Sequence, residues 1–479
     1  MTPEEFRRFG HELIDRIADY RARVYRGEFP VMARVEPGAL RASLPQSPPE
    51  EPEPFSAVLE DLERLVLPAC THWQDPRFCA YFPSNSSLAA VLGDFASTGL
   101  AQLGLNWQAS PALTELEELT VDWLRQMMGL SAAWKGVIQD TASAATLVAL
   151  ICARERATRY GAVRGGLQQA ERPLAVYAST QAHSSVEKAA LLAGFGRENL
   201  RLIDVDEQFA LRPDALEEAI ATDLRSGVQP CAVVATVGTT ATTALDPIAE
   251  VARIARAHGL WLHVDAAMAG SAMLLPECRW MWNGIEEADS LVVNPHKWLG
   301  ASFDCSTYFV RDPQHLVRVM SSNPSYLRTD ADAVVTNFRD WGIPLGRRFR
   351  ALKLWFLIRE QGVSGLQRRL RRDLAHARWL AEQVDAAPDW KRIAPVHLQT
   401  VCVLHTPPGL EGEALDAHTL AWLRRINESG AAYLTPAHLG DRWVVRVALG
   451  TEATEHEHVA GLWQLMQSVA DATWKESRR

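Results

Sequence analysis

The chain is 479 residues long, 47% hydrophobic and 22% charged, and its 58 acidic against 49 basic residues give a formal charge of −9. Such a length exceeds the ~150 residues of a typical single domain, and the composition is that of a globular protein with an ample core. The acidic balance excludes binding driven by a basic surface, to nucleic acid or to an anionic membrane.

The seven cysteines (70, 79, 152, 231, 278, 305 and 402) have neither CxxC nor zinc-type spacing, so no metal site is expected and a reducing cytoplasm fits. No apolar run approaches the ~20 residues of a membrane span, and the acidic, amphipathic start is unlike a leader. Thr2-Pro3-Glu4-Glu5 places a cap, a proline at the first helical position and a glutamate at the third. Phe6, Phe9, Leu13, Ile17 and Tyr20 then recur every three or four residues, predicting an amphipathic helix that ends before Pro30. Prolines at 45, 48, 49, 52 and 54 make the next stretch an extended connector, and PFSAVLEDLERLVLP after it reads as a second helix. Two apolar-faced helices on a stiff tether have no core of their own. They must pack on the rest of the chain or on a second copy.

From Thr71 onward His72, Trp73, Tyr81, Phe82 and Trp107 stand among glycines and serines, a pattern that fits core aromatics or a pocket wall. Gln139-Asp140-Thr141-Ala142-Ser143 leads into ATLVALICA, which predicts a helix start built of small residues. Its free N–H groups and dipole favour an anion such as phosphate, although an ordinary cap looks the same. GxGxxG and GxxxxGK[ST] are both missing, against a dinucleotide or P-loop site. The runs 173–178, 231–240, 261–264 and 290–293 are short, apolar and bounded by turns, and read as buried strands. His183 follows the first and Thr240 closes the second. Alternating with helical segments, they predict an α/β fold with a mostly parallel sheet covered by helices. Asn323 opens a polar stretch containing Tyr326, a loop of the kind that closes over substrate. Helical periodicity runs from Phe349 to Val384, and the basic run 368–373 within it reads as a solvated face. Strands at 398–405 and 441–449 and a final helix near 454–475 complete a small α+β domain. The expected domains are 1–84, 85–350 and 351–479.

Asp265 and Lys297 end successive strand segments, and ligands of open α/β sheets gather outside the carboxyl ends of the strands. A lysine amine forms a Schiff base with a carbonyl once deprotonated, which a desolvated or cation-flanked setting such as one beside His296 promotes. If the carbonyl is that of pyridoxal phosphate, a carboxylate at the pyridine nitrogen keeps it protonated, and the ring then accepts electrons from a bond at the substrate α-carbon. Asp265 is the candidate for that carboxylate, and Asn294 shares the turn with Lys297. Taken singly, the two residues also read as a strand-end cap and a solvated charge.

The strings AYFPSNSS, QDTASAATLVAL, QAHSSVEKA, GTT, HVDAAMAGSA, NPHKWLGASFDCS and IPLGRRFRALKLWF carry a resemblance over nearly the whole chain. In order and spacing the chain resembles the group II decarboxylases dependent on pyridoxal 5'-phosphate, most closely the aromatic-L-amino-acid decarboxylases, particularly bacterial enzymes acting on L-DOPA. The resemblance implies the fold-type I architecture, an N-terminal helical segment exchanged across a homodimer, and a composite active site. It implies that Lys297 binds the cofactor, Asp265 holds its ring nitrogen, His183 stacks on the ring, and Ala142 and Ser143 hold the phosphate. Thr240 would sit beside ring or phosphate, with Asn294 and His296 in the same cofactor set. Tyr81, Phe82, Pro83 and Ser84 would line the substrate pocket. Leu103 and Leu105 would reach the neighbouring subunit's cofactor, Leu105 standing where animal enzymes more often have phenylalanine. Tyr326 would protonate the α-carbon after carbon dioxide leaves, where aldehyde-forming relatives commonly carry phenylalanine. Gly346 would leave room for an indole, where a serine accompanies phenolic substrates in plant relatives. The implied substrate is an aromatic L-amino acid. Other readings stay open: an aldehyde synthase or aminotransferase of the same fold, a decarboxylase for glutamate or histidine, and an inactive binding homologue.

Overall fold

The computed structural model of the chain describes residues 1–322, 331–332 and 334–478. It divides into two compact units, Ser84–Ala375 with Ala394–Leu398, and Met1–Pro83 with His376–Ile393 and Gln399–Arg479. Residues 351–375 belong to the large unit, and the N-terminal segment shares a unit with the C-terminal one.

The large unit is built on seven strands: β1 (Lys135–Gln139), β2 (Leu174–Ser179), β3 (Leu200–Ile203), β4 (Gln229–Thr236), β5 (Trp261–Asp265), β6 (Ser290–Val293) and β7 (Ser306–Val310). Their order in the sheet is β1-β7-β6-β5-β4-β2-β3. The five from β6 to β3 pair in parallel, and β7 runs antiparallel to both β6 and β1. β2, β4, β5 and β6 are the strands predicted from sequence, and they are buried on both faces, which is why each reads as an unbroken apolar run. The helix Ala142–Ala157 lies on this sheet, capped by Thr141, whose hydroxyl accepts the Ala144 N–H. Its Ala145, Val148, Ala149 and Cys152 pack in one core with Val176, Val234, Trp261, Val292 and Tyr308. Each fully buried valine or leucine in such a core contributes roughly 1.5–3 kcal/mol. Because β7 is the only reversed strand, β1, β2, β4, β5 and β6 all end at the same edge of the sheet. Gln139, Ser179, Thr236, Asp265 and Val293 therefore lie along one edge of the sheet.

The outer edge of β1 is closed by an ion pair. Arg347 donates to Glu117 at 2.6 Å and to the Ile138 carbonyl at 2.7 Å, while Glu117 accepts the Ile138 N–H at 2.8 Å. Glu117 belongs to the helix Pro111–Met128, so helix, edge strand and Arg347 are tied at one point.

The long helix Ala351–Ala386 is interrupted at Gly362, where φ is +63° and glycine is the residue that tolerates the left-handed turn. The basic run within it is a correction to the sequence reading. Arg368 and Arg371 are exposed as expected, but Arg369 and Asp373 are buried. They fall three and seven residues after the buried Leu366, inside a helical stripe that also includes Leu370 and Ala377.

The small unit holds a second sheet of β8 (Trp390–Arg392), β9 (Thr400–His405), β10 (Thr435–Leu439) and β11 (Arg442–Ala448), antiparallel in the order β10-β11-β9-β8. The helices Gly412–Ser429 and His456–Ser477 belong to the same unit. The predicted N-terminal helix is Pro3–Tyr25, with the Thr2 and Glu5 side chains each accepting the other residue's backbone N–H. Helical turns from Phe55 to Ala69 follow the proline connector, and Phe9 packs on Phe55 with ring centroids 5.0 Å apart. Phe6, Ile14 and Ile17 on the first helix stay exposed within this chain. Among the described residues no helix is long and apolar enough to cross a membrane, and no cluster of three or more His, Cys, Asp or Glu could hold a metal ion.

Candidate active site

Lys297 sits in the turn Pro295–Leu299 that links β6 to β7, at φ −95° and ψ −111°, outside the helical region of its neighbours. The turn is pinned on both sides. The Asn294 N–H donates to the Ala267 carbonyl at 2.9 Å, and the Asn294 side-chain oxygen accepts the Ser306 hydroxyl at 2.6 Å. The Lys297 N–H closes the turn onto the Asn294 carbonyl at 2.9 Å. His296 accepts the Cys305 N–H on Nδ1 at 2.9 Å, which leaves the proton of the neutral ring on Nε2. Burial, and then the charge of Lys297, push His296 down to about 3. The sequence reading gave His296 a share in a desolvated or cation-flanked setting for the amine. Being neutral, it contributes desolvation and not charge.

Asp265 ends β5, is 5% exposed, and accepts the Ala267 N–H at 3.0 Å. His183 caps the helix Ser184–Leu192, with Nδ1 accepting the Ser185 N–H at 3.1 Å and lying 2.8 Å from the Ser185 hydroxyl. The proton of neutral His183 is therefore on Nε2. Burial lowers the His183 pKa, the Asp265 charge opposes that shift, and the Lys297 charge adds to it. The charges of Asp265 and Lys297 thus both reach His183. His263, two residues before Asp265 on the same face of β5, is fully buried. It bonds the Ser290 hydroxyl at 2.9 Å, and burial pushes it down to about 4.

At the same edge, Ala142 and Ser143 form the first turn of the helix after β1, with Ala142 buried and Ser143 exposed. Thr240 is exposed at the turn after β4.

Residues 37–405 match the pyridoxal-dependent decarboxylase conserved domain. An aromatic-L-amino-acid decarboxylase of Bos taurus is 42% identical over 98% of this chain and 97% of its own length. A phenylacetaldehyde synthase of Arabidopsis thaliana is 40% identical over 98% of this chain and 96% of its own. The crystal structure of Oryza sativa TDC with PLP and tryptamine superposes with a TM-score of 0.95 at 37% identity, covering 98% of this chain and 99% of that one. The chain belongs to the pyridoxal-dependent decarboxylases. Its cofactor is pyridoxal 5'-phosphate, and its architecture is that of the decarboxylase structures, a mostly parallel sheet with a small antiparallel one.

The residues at this edge fit that cofactor: an amine and a carboxylate whose charges both reach an imidazole, and a helix N-terminus of small residues at the same edge. Thr236 Oγ1, paired with Asp265 across β4 and β5, is buried without a hydrogen-bond partner among the described residues. A polar ligand at this edge would supply one. On the substrate side, the Ser84 hydroxyl donates to the His296 carbonyl at 3.4 Å, and the Asn85 N–H donates to the Lys297 carbonyl at 3.3 Å. Leu103, Leu105 and Gly346 come together through reciprocal backbone bonds between Gly104 and Arg347 at 2.9 and 3.0 Å. Tyr81, Phe82 and Pro83 belong to the small unit, where Arg446 donates to the Tyr81 carbonyl at 2.9 Å and stands 4.9 Å from the Phe82 ring. Tyr326 lies outside the described residues.

Sequence reasoning missed Ser185, His263 and Ser306. A period-two reading of WLHVD would have placed His263 beside Asp265. Nothing local in the sequence marks Ser306 as the partner of Asn294.

Proposed function

We propose that the protein decarboxylates aromatic L-amino acids of the L-DOPA, 5-hydroxytryptophan, tryptophan and tyrosine class to the arylethylamine and carbon dioxide. The observation that carries the reading is the placement of His183, Asp265 and Lys297 at or just after the ends of strands on one edge of the sheet, with the charges of Asp265 and Lys297 both reaching His183. When bound, pyridoxal phosphate supplies an electron sink for the bond that breaks at the substrate α-carbon. Lys297 would hold the cofactor through its amine, Asp265 would keep a proton on the ring nitrogen, and Ala142, Ser143 and Thr240 would hold the phosphate, with Asn294 and His296 fixing the lysine turn. His183 would offer a neutral donor at Nε2 beside the cofactor, and Tyr326 would return a proton to the α-carbon. Tyr81, Phe82, Pro83, Ser84, Leu103, Leu105 and Gly346 shape the space for the aromatic side chain.

The working unit in this reading is a cytoplasmic homodimer with a composite site. The exposed apolar face of Phe6, Ile14 and Ile17 supports it, because a second copy would cover that face. A second reading is aldehyde formation, favoured by the 40% identity to the phenylacetaldehyde synthase. The test is a panel of L-DOPA, 5-hydroxytryptophan, tryptophan, tyrosine and phenylalanine, with glutamate and histidine beside them, and with amine, carbon dioxide and aldehyde all measured. Amine and carbon dioxide in equal amounts are expected. Aldehyde in place of amine, or turnover of glutamate or histidine alone, would overturn the proposal. The purified protein is expected to be yellow, and Lys297→Ala to remove its visible band.

A further inference from the structure

We infer that Arg369 and Asp373 are positioning residues for Lys297, holding its turn from the far side through the backbone and side chain of Trp298 and Leu299. The inference rests on Lys297 as the residue that binds the cofactor.

The geometry forms a clamp. Arg369, 7% exposed, donates from Nη1 to the Trp298 carbonyl at 2.7 Å and from Nη2 to the Leu299 carbonyl. Asp373, fully buried one helical turn later, accepts the Trp298 indole N–H on Oδ2 at 2.9 Å. Its other oxygen takes the Arg372 guanidinium at 3.1 Å, so the carboxylate is ordered from two sides. Burial raises the Asp373 pKa, and the neighbouring Arg372 and Arg369 charges work against that shift.

A second feature shows that the turn is built around this guanidinium. Gly300 has φ +104°, and a Cβ placed on it would stand 3.2 Å from Arg369 Nη2. Glycine therefore serves both the left-handed backbone and the space the guanidinium occupies. Lys297 departs from helical geometry, so the residues after it need partners other than a regular helix ladder, and Arg369 meets two of those carbonyls at once. The near side of the turn is held by Ser306, Cys305 and Ala267. The clamp from the long helix holds the following two residues by charge-assisted bonds. Loosening it leaves the lysine amine attached but free to wander from the carbonyl it must reach.

The test uses the purified full chain. Cofactor affinity is measured by titrating the apoprotein with pyridoxal phosphate, the pH midpoint of the visible band is recorded, and apoprotein Tm is followed in parallel. Arg369→Met and Asp373→Leu are expected to weaken cofactor affinity by about tenfold or more, the size of a lost charge-assisted hydrogen bond, and to move the pH midpoint. Arg369→Lys and Asp373→Asn should recover part of both. If the truncating variants do not fold, these conservative changes and Gly300→Ala carry the test. Wild-type affinity and midpoint in the conservative variants and in Gly300→Ala would overturn the inference, as would affinity losses that follow apoprotein Tm with the midpoint unmoved. Lys297→Ala separates the two claims: a visible band that survives it defeats the assignment of Lys297, whatever the clamp variants do.

Discussion

At position 346 the absent side chain is the informative feature. A Cβ on Gly346 would stand 3.3 Å from Leu103 Cδ1, closer than ordinary contact, so any larger residue must displace the leucine or intrude on the space beside it. Gly346→Ser is expected to fold normally and to lower the ratio of kcat/KM for tryptophan to that for tyrosine by about tenfold or more, the usual effect of a small change in pocket volume. Competition assays with the two amino acids measure it, and an unchanged ratio would remove Gly346 and Leu103 from the pocket wall. Lys297, Asp265 and His183, the residues proposed to act through their side chains, could be singled out in the sequence because each ends or follows an apolar run. Those that act on another residue could not be: Ser185 on His183 and Ser306 on Asn294 announce themselves only when the fold brings donor and acceptor together. Arg369 was misread for a related reason. A charged residue inside a basic run looks solvated until the width of the buried stripe is known.

Among the elements, the junction of β1 with the helix Pro111–Met128 concentrates the largest penalty. Glu117 and Arg347 are both buried, and each also satisfies a backbone group of Ile138 that the edge strand would otherwise leave unpaired. Glu117→Ala strands a buried guanidinium and should cost about 3–5 kcal/mol, while replacing both residues by Leu and Met should cost much less than the sum. Urea unfolding of the single and double variants gives the comparison; equal and additive losses would contradict it. The same junction explains which strands could be foreseen. β2, β4, β5 and β6 are buried on both faces and spell continuous apolar runs, whereas β1 begins with the exposed Lys135 and β3 is only partly buried, so neither shows the signal. β7 is fully buried but follows soon after the lysine turn, and its place in the sheet depends on pairing both with β6 just before it and with β1 far back in the chain.

For the whole molecule, buried neutral histidines set the acid limit. Burial pushes His263 to about 4, His296 to about 3 and His418 to about 4; in His418 the neighbouring His405, 2.9 Å away, adds to the shift. In the unfolded chain each titrates near 6.5. Below that value the unfolded state takes up protons that the native state refuses, so stability is full above about pH 6.5 and is lost as pH falls toward about 4. Both units contain such groups, and Tm should fall in this window for both, as calorimetry across pH would record. A flat Tm between pH 7 and 5 would mean that these rings are protonated in the native state.

The reversed strand β7 has a mechanical consequence. Because β6 and β7 are adjacent and antiparallel, the segment bearing Lys297 leaves and re-enters the sheet on neighbouring strands, and both of its ends are tied to ladder-bonded backbone. The Lys297 amide is bonded inside the turn, to the Asn294 carbonyl, so its exchange with solvent deuterium reports opening of the turn and not of the strands. Amides of the β6–β7 ladder should exchange more slowly than that of Lys297, so the lysine can shift while its two anchoring strands stay closed.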